Sequence, residues 1–192
     1  MNKFLSLITF LFYFSVLFSQ TPSENCIDMN PICTGYTFTA NANSSNITVT
    51  EPGNNYDCLF TAPNPTWYYF DIATSGNIEI QLSAANDIDF IVWGPFSSLT
   101  AAQTACGSLG QLPVTPNNGS VVDCSYSTAA VEDPSIPNAI SGEVYVMLVT
   151  NYANVVQNIV VEQVGGTGSL QCPNGISAIT DITVNTTGCY DN

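Results

Sequence analysis

The chain has 192 residues, with fifteen Asp and Glu against a single Lys or Arg, no histidine, and a net charge of −14. The one cation is Lys3, so nothing beyond residue 20 is basic. That excludes imidazole general bases, lysine Schiff bases and guanidinium clamps, and it excludes nucleic acid and anionic membrane surfaces as partners.

Residues 1–20 read as a secretory signal peptide: Lys3 near the start, an apolar run over 4–18, then Ser19-Gln20-Thr21-Pro22. The run is short for a membrane span, the alternative being an uncleaved anchor helix. Removing this segment leaves fifteen carboxylates with no side-chain cation to oppose them. Only 8% of residues are charged, so the polar exterior is built from Asn, Thr, Ser and Gln.

Taken along the chain, the pattern is all-β. Strands are expected over 47–51, 67–72, 77–83, 89–93, 120–124, 143–150 and 157–164. Residues 77–82 alternate polar and apolar, the period of a half-buried antiparallel strand. Residues 144–149 are apolar on both faces, as in a central strand. Turn formers separate the strands, such as Pro116-Asn117-Asn118-Gly119. One short helix is expected over 99–105, with Ser97 or Ser98 as its N-cap. About 7–9 short antiparallel strands in one domain over 21–172 predict a β-sandwich or jelly roll. Gly165-Gly166-Thr167-Gly168-Ser169 reads as a flexible hinge. Residues 173–192 then form a linker and the start of a further, truncated module, with an alternating stretch over 176–184. The alternative is an additional edge strand of the same sandwich.

Seven cysteines occur in the chain. Cys26, Cys33, Cys58, Cys106, Cys124 and Cys172 fall within the domain and are expected to form three disulfides, leaving Cys189 over. Connectivity is open from sequence. The favoured pair is Cys106–Cys124, which would staple the Gly- and Pro-rich excursion between them.

Several phrases, in order, resemble one family: Asn64-Pro65-Thr66-Trp67-Tyr68-Tyr69-Phe70, Asp87-Ile88-Asp89-Phe90-Ile91-Val92-Trp93-Gly94-Pro95-Phe96, Asp123-Cys124-Ser125-Tyr126-Ser127, Ile136-Pro137-Asn138-Ala139, Leu148-Val149-Thr150-Asn151-Tyr152 and Gly165-Gly166-Thr167-Gly168-Ser169. Together they are similar to the N-terminal domain of large multi-repeat surface proteins of gliding flavobacteria and their relatives. The resemblance implies export through the type IX secretion machinery, a place at the cell surface and an adhesin-like role. It implies no site residues. The chain departs from such proteins in carrying neither a repeat array nor a C-terminal sorting domain. The Asp-x-Asp-aromatic strand after an alternating one is also similar to bacterial pre-peptidase C-terminal domains, a likeness of fold alone.

Two constellations carry chemistry. Asp87 and Asp89 stand at i and i+2 beside Asn86 and suit Ca²⁺, which takes roughly six to eight oxygens; Glu132 and Asp133 would complete such a site if the fold brings them close. The plainer reading has Asp87 exposed in a turn and Asp89 capping backbone amides at the strand end. The aromatics form the second set. Tyr126, Tyr152 and one of Trp67 and Tyr68 are the expected exposed rings, able to stack on sugars beside Asn and Asp. The expected function is therefore a non-catalytic, exported surface module whose loops recognise a glycan or a surface protein by hydrogen bonds and aromatic contact. The competing readings are a structural cap on a repeat array and a calcium-dependent carbohydrate-binding module. Exposed, concave aromatics would favour binding, and full burial of the tryptophans would favour the cap.

Overall fold

A computed structural model describes residues 23–42 and 51–172. The signal segment 1–20, all but the last residue of the strand expected over 47–51, and everything expected of 173–192, including Cys189, lie outside the described residues; Glu51 itself is in a bend.

The described chain opens with a 3-10 turn at Cys26–Asp28 and the short β1 (Asn30–Pro31) and β2 (Tyr36–Ala40). The long β3 (Pro65–Thr74), β4 (Gly76–Ser83) and β5 (Asp89–Phe96) follow, then helix α1 (Leu99–Thr104). The remainder is β6 (Ser120–Ser125), β7 (Val131–Glu132), β8 (Ser135–Ala139), β9 (Val144–Thr150), β10 (Gln157–Gly166) and β11 (Ser169–Leu170). One sheet runs β1-β3-β9-β5-β6, with β11 also on β3; the other runs β2-β10-β4-β7, with β8 also on β4. Together they form an all-β sandwich. The strands expected over 67–72, 77–83, 89–93, 120–124, 143–150 and 157–164 are each present, most with small extensions at the ends and the one over 143–150 starting a residue later, at Val144. Helix α1 begins where expected: the Ser98 side chain accepts a hydrogen bond from the Ala101 amide.

Alternation explains the second sheet. In β4 the residues Ile78, Ile80 and Leu82 are buried while Asn77 and Glu79 face out. They meet Phe38, Ile136, Ile159 and Val161 from their own sheet and Tyr68, Phe70, Phe90, Val92, Met147 and Val149 from the other. This is the core between the layers.

The first sheet obeys a different rule, because its far face is also covered. All seven residues of β9 are buried. On the outer side Trp67, Ile91, Trp93, Val146 and Leu148 pack under a cover of loops and helix α1 that contributes Met29, Tyr56, Leu59, Ala62, Ala102 and Leu109. Trp67 and Trp93 stack in this second core, ring centroids 5.6 Å apart and 16° from parallel, and the Trp93 indole donates to the Asn55 carbonyl at 2.9 Å. The expectation that Trp67 or Tyr68 is exposed is therefore wrong. Their relative exposures are 0% and 1%, because both faces of β3 are core.

Disulfides hold the cover down, and the favoured pair Cys106–Cys124 is not formed. Cys26 bonds Cys106, tying the opening turn to the end of α1; Cys58 bonds Cys124, tying the 51–64 loop to β6; and Cys33 bonds Cys172. Their Cα–Cα distances of 5.7, 6.1 and 5.6 Å suit disulfides. Sequence proximity favoured a local staple, whereas the fold uses its bridges over long separations. Three further expectations are corrected. The sheets contain more strands than 7–9, three of them only two residues long. The β1–β3 pairing is parallel. The 165–169 segment is not a hinge: Gly165 and Gly166 pair within β10, and the Gly168 amide donates to the Asn77 carbonyl. Gly166 has φ +94°, and a Cβ there would run into that same carbonyl. Its glycine is required by close backbone approach.

Non-reducing peptide mapping should recover the pairs Cys26–Cys106, Cys33–Cys172 and Cys58–Cys124. Replacing Cys26 and Cys106 together by Ala should lower stability by about 2–5 kcal/mol, read by denaturant melts.

Candidate functional site

Three chain segments meet at one end of the doubly covered sheet. Strand β5 runs antiparallel to both neighbours, so its first residue lies beside the last residues of β6 and β9: Phe90 is opposite Ser125, and Asp89 is opposite Thr150. The residues just outside those strand ends are Asp87, Tyr126, Ser127, Thr128 and Tyr152. With Asp89 they line a notch of about 110 Å³. Two of the four acids and two of the four aromatics singled out in the sequence thus converge, although 65 residues separate Asp87 from Tyr152 along the chain.

Hydrogen bonds fix the loops around it. The Ser127 amide donates to Asp89 Oδ1 at 2.9 Å, and the Ser127 hydroxyl donates to Glu132 Oε1 at 2.7 Å. Thr150 Oγ1 lies 3.4 Å from Asp89 Oδ2. The Ile88 amide donates to the Ala129 carbonyl and the Ala153 amide to the Asp87 carbonyl, at 3.0 and 3.1 Å. Behind Tyr152, the Asn151 side chain donates to the carbonyls of Asn41 and Val155 and accepts from Gln157. Gln157 in turn accepts from the Asn86 amide at 2.8 Å.

The aromatic side of the notch is a ladder. Tyr126 and Tyr152 pack edge to face with centroids 5.6 Å apart, and Phe60 packs edge to face against Tyr126 at the same spacing. Tyr126 is half-buried and its hydroxyl lies 3.0 Å from Thr61 Oγ1, whereas Tyr152 and Phe60 are exposed. Phe60 was not anticipated, as a lone aromatic in a turn-rich loop carries no periodic signal.

The four acids separate. Asp89 is 1% exposed and Glu132 is also buried. Asp87 is half-buried, and Asp133 is exposed and accepts from the Gln81 amide on another strand. Asp89 caps a backbone amide at its strand end, while Asp87 is not fully exposed in its turn. Among the described residues no group of three or more His, Cys, Asp or Glu side chains is placed to hold a metal ion. Burial, opposed by the Ser127 amide, and then the charges of Asp87 and Glu132 push the Asp89 carboxyl up to about 7. Burial also raises Asp87. The Tyr152 phenol is raised, first by the Tyr126 hydroxyl beside it and more weakly by the two aspartates.

Compared with known proteins, the chain matches no family model and no curated protein.

The pH dependence of stability tests this arrangement. Between the ordinary carboxylate value near 4 and about 7, folded Asp89 keeps a proton that the unfolded chain has lost. Stability should therefore fall as pH rises through that window and level off above it, with Asp71 and Asp87, both raised by burial, adding in the same direction. The chain has no histidine to mask the slope. Asp89→Asn, which keeps an acceptor for Ser127, should flatten the decline in thermal melts. A melting point that climbs from pH 5 to 7 contradicts the placement.

Proposed function

We propose that this chain is a non-catalytic recognition module of an exported, adhesin-like cell-surface protein. The observation that carries the reading is the notch, where Asp87, Asp89, Tyr126 and Tyr152 converge on a rigid strand-end scaffold with Phe60 exposed beside them. Exposed rings next to fixed polar groups supply the area and orientation that binding needs. The three disulfides suit an oxidising compartment outside the cytoplasm. The signal-like segment and the resemblance to surface proteins of gliding flavobacteria support export by the type IX machinery and display at the cell surface. A sequence with no histidine, and no Lys or Arg after Lys3, lacks the usual acid–base and nucleophile-activating groups, which favours recognition over catalysis.

The burial of Trp67 and Trp93 favours a second reading, a structural cap that protects the end of a repeat array. The exposed ladder of Phe60, Tyr126 and Tyr152 weighs against it, because a cap has no use for three clustered rings at a polar notch.

The test is retention of a panel of glycans and purified surface proteins on the immobilised, oxidised chain. Recognition through the notch predicts that at least one ligand is retained. Phe60→Ala and Tyr152→Ala should each weaken it about tenfold, a loss of roughly 1.4 kcal/mol, with melting unchanged. Retention of nothing, or retention indifferent to both substitutions, assigns the domain to the cap.

A further inference from the structure

The charge of the notch is left unanswered by the rest of the molecule. Asp87 and Asp89 line the notch beside Ser127, whose hydroxyl donates to Glu132 beyond, and no Lys, Arg or His follows Lys3 in the sequence. The other acids that are tied into the fold are answered by neutral donors. Asp123 accepts from the amides of Cys124 and Ser135, Glu51 from that of Cys26, and Glu143 from that of Ile140 and the Tyr145 hydroxyl. Asp87 is different. Its Oδ1 is shut off from solvent and has no hydrogen-bond partner among the described residues. A carboxylate oxygen held so, beside a second carboxylate, is among the more costly groups a protein can carry.

We infer that the notch is a receptor for a primary ammonium group on an aliphatic stem, the chemistry of a lysine side chain presented by a partner protein. This rests on the proposed recognition role and names its ligand class. Three observations select it. The size comes first. A volume of about 110 Å³ lies below the roughly 300–1,000 Å³ of pockets that enclose a whole small molecule, so the notch admits one functional group rather than a sugar chain. The walls come second. Tyr126 and Tyr152 set aromatic rings against the carboxylates, and ring faces attract a cation that the acids also attract. Phe60, 81% exposed and packed edge to face against Tyr126, extends the apolar wall beyond the residues that line the notch, where the methylenes of a stem can lie. The acceptors come third. A guanidinium needs a carboxylate with both oxygens open to its fork. Here Asp89 Oδ1 is taken by the Ser127 amide and Asp87 Oδ1 is closed to solvent. An ammonium is a compact charge with separately aimed donors and has no such requirement. A calcium ion would need roughly six to eight oxygens, and among the described residues no three acids are grouped closely enough to begin that shell.

Protonation sets the strength of the site. Asp89 takes up its proton near neutrality, so the notch gains its second charge as pH rises through about 7. The titratable groups that face Asp89 are Asp87 from its own strand end, Glu132 across Ser127, and the phenols of Tyr126 and Tyr152.

The experiment uses the oxidised chain and n-butylammonium as the probe, followed by NMR shifts of Tyr126, Thr128 and Tyr152. Saturable shifts should appear, weaken with salt and strengthen from pH 6 to 8. Asp87→Asn should reduce the affinity about tenfold, the size expected for one charge-assisted contact, and Asp89→Asn should remove the pH dependence. n-Butanol at the same concentration should produce neither effect, since it lacks the charge, and tetramethylammonium, which the rings attract but which has no donors for the carboxylates, should bind more weakly than n-butylammonium. A lysine-containing peptide should bind more tightly than butylammonium. Equal affinity would identify the source as a free amine, which overturns the partner-protein assignment. No saturable shift, or one unchanged in both Asn variants or matched by butanol, overturns the ammonium site. If retention on the panel still depends on Phe60 and Tyr152 in that event, recognition stands with a different ligand. Loss of both dependences would remove the recognition reading as well.

Discussion

The constraint on which the rest of the molecule depends is that its first sheet is buried on both faces. Strand β9 has no exposed residue, and β5 exposes only Pro95. A strand so placed has nowhere along its length for a polar side chain. Hydrophilic groups on β5 and β9 can stand only at the strand ends, and there Asp89 and Thr150 face each other. The site lies at this end because the interior of the sheet admits nothing of its kind. The outer cover is loop chain together with the short helix α1, and among the described residues it contributes no strand of its own. Two of the three disulfides anchor it, and the stacked tryptophans fill the space beneath. Small cores with long loops need such cross-links, because ordering loop backbone costs roughly 1–2 kcal/mol per residue.

A second property follows from the missing cations. Without Lys, Arg or His the loops cannot be tied by ion pairs, and amides take that role. Asn151 alone links Asn41, Val155 and Gln157. Asn64 reaches the Asn151 carbonyl and the Asn154 side chain. Asn and Gln each carry a donor and an acceptor, so one side chain joins strands that a charged group could join only with a counter-ion. Asn64 and Asn154 also have φ +48° and +53°, a region asparagine tolerates better than most residues. The asparagine-rich composition is thus a structural answer to the absence of cations, and not only a solvated exterior.

How much of this was legible depended on which interactions were local. The alternation of 77–83 and the unbroken apolar run of 144–149 report a strand's own faces, and both elements fold as the pattern says. Ser98 as a cap is equally local. Strand β2, buried at Tyr36, Phe38 and Ala40, alternates just as clearly, but over only five residues, too few for the period to stand out from the loops around it. The two-residue strands β1, β7 and β11 exist only through partners far along the chain, and no window of sequence contains them. The disulfides and the second core were illegible for the same reason. One covered face was evident for Trp67 and Tyr68; that both were covered depended on segments 23–33 and 51–62, which have no periodicity. Of the site, Asp87, Asp89, Tyr126 and Tyr152 were recognisable by residue type. Their meeting follows from antiparallel strand order, which composition does not encode.

The contrast between tryptophans and tyrosines then has a physical basis. Trp67 and Trp93 lie mid-strand under the cover, where a large ring is worth most as buried area. Tyr126 and Tyr152 lie one or two residues beyond strand ends, where the cover stops and a ring can keep its hydroxyl wet. The same geometry separates long-range from short-range electrostatics. Fifteen carboxylates give the whole surface a negative field that draws cations without discrimination, and this field is screened over about 8 Å at physiological salt. At the notch two acids are partly withdrawn from water, bordered by the rings of Tyr126 and Tyr152 and set around a concave space, which gives local attraction a shape that the diffuse field lacks. The proposed recognition role would draw its selectivity from dehydrated charges of this kind, and the end of β5 holds two of them next to each other.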